Sequence, residues 1–139
     1  MEYKTTELTI VIRPDNIIGI KVREDLVDGF TMEGAIENIA LIEKIIDNDP
    51  RGVLLWMPDM YMKKNIIKHY IDFEQESVTT ALITKSFASK IVGNLFLTLR
   101  TRFTSKNKIK TNHVKLFTVK EEAITWLLEA IKMQQKVET

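Results

Sequence analysis

His69 and His113 are the only imidazoles in a chain of 139 residues that has no cysteine. Disulfides, thiolate metal sites and cysteine nucleophiles are thereby excluded. His69 and Asp72 stand three apart in a stretch of helical periodicity, so they share a helix face. A zinc site needs further protein ligands, and none follows at a recognisable spacing, so the pair reads as a solvated face. His113 adjoins a basic stretch and reads as a surface residue. No Gly-x-Ser-x-Gly elbow presents a serine, and the five glycines are too scattered to cradle a phosphate. The chain is expected to be no enzyme and to carry no metal or cofactor.

Two other groupings bear on binding. Met57, Met60, Tyr61 and Met62 cluster just after an apolar pentapeptide, Val53–Met57. In open α/β sheets ligands bind beyond the carboxyl ends of strands, and thioethers adapt to apolar surfaces. The bland alternative is core and rim packing. The second grouping is electrostatic. Residues 1–76 hold nine basic and fifteen acidic side chains, residues 77–120 nine basic and none acidic, and residues 121–139 two basic and four acidic. The densest basic part is Arg100, Arg102, Lys106, Lys108 and Lys110, with Phe103 among them. It is a candidate contact for an anionic partner, nucleic acid included. It reads equally as a solvated loop that balances acidic surface elsewhere. A single interleaved aromatic gives little for bases to stack on.

These groups must be positioned by one domain, residues 1–139, with a polar tail from about residue 134. Apolar residues are 45% and charged residues 28% of the chain, a globular composition, and the formal net charge is +1. That total provides no bulk attraction to DNA or to a membrane. The first residues lack the basic start and apolar core of a secretion signal, and no apolar run reaches a membrane span of about 20 residues. Cytoplasmic residence without a membrane partner is expected.

Leu8, Ile10 and Ile12 alternate with Thr9, Val11 and Arg13, and Ile18, Ile20 and Val22 alternate after the turn Arg13-Pro14-Asp15-Asn16. This predicts an antiparallel hairpin. Thr31 caps a helix whose apolar stripe is Met32, Ala35, Ile36, Ile39, Ile42 and Ile46. Val53–Met57 suits a strand buried on both faces. A second helix lies within Asp59–Asp72, and Ala81–Ile83 is a further buried strand. Ser86 caps a third helix carrying Phe87, Ile91, Leu95 and Leu99. Gly93 inside that helix implies close backbone packing or a bend that frees Asn94. Val114, Leu116 and Phe117 form a last strand. Thr118 and Glu121 read as a capping box before a helix with Ala123, Trp126, Leu127, Ala130 and Ile131 on its apolar face. The order ββαβαβαβα predicts an α/β fold with a mixed, mainly parallel sheet.

Two segments carry a resemblance. Residues 81–97, with Gly93-Asn94 followed by Phe96, and residues 115–127, with Leu116-Phe117-Thr118, Ala123 and Trp126-Leu127, resemble small bacterial proteins of the STAS, anti-sigma-factor-antagonist-like, group. The resemblance implies a β-α superhelix after a leading hairpin and a regulatory role through protein contacts. Relatives in that group place a phosphorylatable serine in the turn after the strand that matches Val53–Met57. Here Pro58-Asp59-Met60-Tyr61-Met62-Lys63-Lys64 stands there, and no Ser or Thr lies between Gly52 and Glu76. The resemblance therefore implies a partner surface at Asp59, Met60, Tyr61, Met62, Lys63 and Lys64 without the phosphoserine switch.

The leading expectation is a non-enzymatic regulatory or scaffolding module. A carrier of a small apolar or lipid-like molecule, lodged between the Met-rich turn and neighbouring helices, is the alternative. Weak nucleic-acid binding through residues 100–110 is a third. A homodimer is expected if the helices leave one sheet face bare.

Overall fold

The computed structural model describes residues 1–26, 29–47, 49, 51–73, 78–103 and 114–138, the side chains of 103 and 135–138 aside. Six strands form one sheet in sequential order: β1 (Glu2–Lys4), β2 (Leu8–Ile12), β3 (Ile17–Val22), β4 (Arg51–Trp56), β5 (Val78–Ile83) and β6 (Val114–Phe117). β1–β2 and β2–β3 are antiparallel, and β3 through β6 are parallel. The parallel crossovers carry α1 (Met32–Ile46), α2 (Lys64–Asp72) and α3 (Phe87–Phe103), and α4 (Lys120–Glu138) follows β6. The predicted α/β order is observed, with β1 added in front. β1 has one partly buried side chain, Tyr3, and so carries no alternation to read.

The hairpin turn closes as its residues dictate. Pro14 presets its own φ, Arg13 grips Asp15 through two hydrogen bonds, and Asn16 takes the left-handed conformation (φ 67°) that asparagine tolerates. Alternation then sorts β2 and β3. Leu8, Ile10, Ile18 and Ile20 point to the face covered by α1, while Ile17 points to the other. In β4 the same sorting sends Val53 to the α1 face and Leu54 to the α4 face, with exposures of 6% and 2%. The strand is hidden on both sides where it begins. Leu55, Trp56 and Met57 are only partly buried.

The two helical layers sit differently. On the back face Ala123, Leu127 and Ile131 of α4 pack on Ile17, Leu54, Ala81 and Ile83, and Trp126 meets Phe117 at 5.5 Å between ring centres. This cover comes from the same chain, so no second copy is needed over Val53–Met57. The rest of the back face, at Glu2, Lys4, Thr9, Gly19 and Lys21, is polar or glycine apart from Val11, which is 40% exposed. Of the four helices only α4 brings its backbone close against several strands; α1, α2 and α3 pack on one another and stand farther off the front face.

Three details correct the periodicity. The inward row of α1 is Gly34/Ala35, Asn38, Ile42 and Ile46, and Ile36 is exposed. In α3 the inward row is Ser89, Val92, Leu99 and Arg100, while Phe87 and Ile91 face solvent. The first helical bond of α4 runs from Ala123 N–H to the Val119 carbonyl, so the cap falls one residue after Thr118. Gly93 follows the close-packing reading: a Cβ there would come within 2.8 Å of Leu116 Cδ1 and 3.2 Å of Thr84 Cγ2.

A Cβ on Gly52 would lie 3.2 Å from Leu127 Cβ and 3.3 Å from Ile131 Cδ1. The close seat of α4 depends on that missing atom. Gly52→Val is expected to lower the free energy of urea unfolding by about 1–3 kcal/mol, through overpacking. Leu127→Ala, at a fully buried position, is expected to cost about 2–5 kcal/mol. Unchanged unfolding midpoints in both variants would contradict this packing.

Candidate functional site

The space between the sheet and the front helices is not filled. It holds an apolar cavity of about 140 Å³. Its floor is β3, β4 and β5 through Ile20, Val53, Leu55 and Thr80; its roof is α1 and α2 through Ile42, Ile67 and Tyr70. Phe73 and Val78 line it toward the amino ends of the strands. Met57, Pro58 and Met62 line it toward the carboxyl ends of the strands, and Val92 and Phe96 of α3 complete that side. Among the described residues no charged side chain lines it. Leu55 and Met57, both partly buried, line this cavity.

A polar node holds the roof at the α1 end. Glu7, at the start of β2, is only 2% exposed. Its Oε2 accepts from the backbone N–H of Thr31 at 2.9 Å and from the Thr31 hydroxyl at 3.3 Å, and its Oε1 accepts from Asn38 Nδ2 at 3.2 Å. Thr31 is itself the N-cap of α1 and accepts from Gly34 N–H at 2.9 Å. The acid thus sits where the N-terminus of a helix favours negative charge. Gly34 leaves room for it, since a Cβ there would fall within the carboxyl group. Asn38, fully buried, spends its second N–H on the Tyr70 hydroxyl at 2.9 Å, and its Oδ1 accepts from Thr5. One chain of hydrogen bonds therefore runs from β2 through α1 to α2. Burial pushes the Tyr70 hydroxyl up from 10.0 to about 12; the bond from Asn38 opposes that rise, and the nearby Glu7 adds to it.

Glu7 and Tyr70 were not singled out by sequence reasoning. A lone acid before a strand looks like a surface residue, and its partners lie 24 and 31 positions away. Asn38 did leave a signal: it occupies the inward row of α1, where an amide requires buried partners.

The nominated surfaces divide. In the turn 59–64, Asp59, Tyr61, Lys63 and Lys64 are exposed, whereas Met60 is partly buried and Met62 turns inward to Ile67, Leu95 and Phe96. Lys63 stands at the N-cap of α2 and makes no side-chain cap. Of the basic group, Arg102 is exposed, but Arg100 is buried at 8% and belongs to the inner row of α3 rather than to a solvated patch. Lys106, Lys108, Lys110 and His113 lie outside the described residues. Asp72 pairs with Lys68 at 2.9 Å and not with His69. Among the described residues no group of three His, Asp or Glu side chains is placed to hold a metal, and no helix is long and apolar enough to cross a membrane.

Comparison of the chain with protein-family models, with curated proteins and with solved structures finds no match in any of the three.

The node generates two expectations. Glu7→Gln puts an amide N–H against an existing donor and is expected to cost about 1–3 kcal/mol in urea unfolding, with the same secondary structure by circular dichroism. Tyr70 gives a pH dependence. Its hydroxyl ionises in the unfolded chain near 10.0 but in the fold only near 12. Above the first value the unfolded state binds fewer protons, so stability is full below it and falls as pH rises through that window. Tyr70→Phe is expected to remove that part of the alkaline decline. An identical decline in wild type and Tyr70→Phe would refute the assignment.

Proposed function

We propose that this protein is a non-enzymatic module that binds a small apolar molecule between its sheet and its front helical layer. The single observation behind this reading is the cavity itself. Protein interiors are ordinarily filled to the density of organic crystals, and voids larger than a water molecule are few. A cavity of about 140 Å³ whose described lining carries no charge matches the roughly 150 Å³ engineered apolar cavity that stays dry and takes up benzene. The ligand class that fits is a ring of that size or a short aliphatic chain. A regulatory module working only through protein contacts accounts for the exposed turn 59–64, but leaves the cavity without a purpose.

The test is thermal unfolding against increasing toluene, with native mass spectrometry of gently purified protein alongside. Wild type is expected to show a saturable rise in Tm, since a ligand at about a hundred times its Kd adds roughly 2.7 kcal/mol. Val92→Leu and Val92→Phe extend a lining side chain into the space. The tolerated one of the two is expected to melt at or above the wild-type temperature and to lose the toluene response. A wild-type Tm indifferent to toluene, with no retained ligand, would overturn the proposal.

A further inference from the structure

The strands β3 to β6 are parallel, so the helices that follow β4 and β5 both begin at the carboxyl edge of the sheet. That edge is where Met57, Pro58 and Met62 line the cavity. It also carries large apolar side chains in full view of solvent. Tyr61, just before α2, is 73% exposed; Phe87, the first residue of α3, is 81% exposed; Ile91, one turn on and on the same face, is 55% exposed. Ordinary monomers scatter such residues singly, whereas grouped ones mark a contact. The polar residues around them are of one sign. Lys63 and Lys64 follow Tyr61, and Lys85 and Lys90 flank Phe87, all four exposed. Among the described residues Lys63, Lys64 and Lys90 have no ion-pair partner, and Lys85 stands over the Trp56 ring at 5.5 Å. Asp59 is the one acid in residues 57–64 and 84–91. The acidic part of the same edge, Glu24, Asp25 and Glu33, belongs to the β3–α1 side. The corner formed by α2 and α3 is thus apolar at its tips and cationic around them, although the whole chain is nearly neutral.

We infer that this corner docks on a membrane surface that contains anionic lipid, with Tyr61, Phe87 and Ile91 entering the headgroup layer and the lysines facing lipid phosphates and carboxylates. Aromatic and aliphatic tips with flanking lysines are what an interfacial site requires, because apolar burial and attraction to anionic lipid add together. The position supplies the purpose. Small apolar molecules partition into bilayers, and the docked corner lies over the end of the cavity lined by Met57 and Met62. The inference rests on the apolar-ligand reading and adds the place from which the ligand is taken.

Co-sedimentation with vesicles tests it. Full-length protein is expected to pellet with phosphatidylcholine vesicles that contain about a third phosphatidylserine, to remain in solution with phosphatidylcholine alone, and to be released as salt rises through about 0.15 M. Lys63→Ala, Lys64→Ala and Lys90→Ala are each expected to weaken binding roughly fivefold. Phe87→Ser combined with Ile91→Ser is expected to weaken it on the order of tenfold, with the fold intact because both side chains face solvent. The toluene response of the serine pair is expected to equal that of wild type, which separates failure of docking from failure of the cavity reading. Wild type that ignores anionic vesicles at low salt overturns the inference, including where it captures an acidic protein instead. Equal binding to neutral and anionic vesicles, or a serine pair that binds like wild type, overturns it as well.

Discussion

The carboxyl group of Glu7 is the constraint around which the front half of the molecule is arranged. A buried acid is costly unless every oxygen is met by donors, and here Thr31 and Asn38 meet both. Those donors belong to the cap and second turn of α1, so satisfying the acid fixes where α1 begins and how far it stands from β2. Asn38 then passes the constraint to Tyr70 on α2. The helix layer is therefore located by hydrogen bonds of fixed length and direction. Apolar contact alone would let it settle onto the sheet.

The back layer shows what such settling looks like. Gly52 on β4 removes the side chain that would hold α4 away, Ala123 is the small residue α4 turns to the strands, and Leu127 fills the remaining space. The front layer meets Ile20, Val53 and Leu55 of the sheet with large side chains of its own, Ile42 and Ile67. Long side chains on both sides keep two layers apart without filling every gap between them. The asymmetry also shows how the back of β4 and β5 is covered. A helix after the last strand returns across the bare face, and the uncovered remainder around β1 and β2 is polar or glycine except for Val11.

What the sequence disclosed follows from the range of each interaction. The strands, the hairpin turn and the caps at Thr31 and Ser86 are local, and both caps donate or accept as their residue types require. The two-sided strand was legible because Val53 and Leu54 are adjacent and both apolar. The faces of α1 and α3 were less so. Ile36, Phe87 and Ile91 belong to regular apolar rows, yet they point outward, and polar Asn38, Ser89 and Arg100 point inward. Periodicity counts hydrophobic residues and cannot see that a buried amide has partners. The Met-rich turn was legible as a cluster, and Met57 and Met62 from it line the cavity. The cavity behind it depends on the spacing of layers, which Glu7, Asn38 and Tyr70 set across 31 and 32 positions of sequence.

An unfilled cavity is a stability liability. At about 24 cal/mol per Å³, the scale found when core side chains are truncated, 140 Å³ corresponds to roughly 3 kcal/mol. That is a large part of the roughly 5–15 kcal/mol that separates folded from unfolded domains. The remedy is chemically simple, because larger residues at Val53, Val78 or Val92 would occupy the space, and proteins accept such changes readily. Selection for stability alone would favour them. A void beside a satisfied polar node, with no charge among its described lining residues and with Met57 and Met62 at its carboxyl end, fits the proposed binding of an apolar molecule. On that proposal occupancy would recover the lost contacts, so the folded state would be strongest when loaded, and filling the space with the protein's own side chains would abolish the binding.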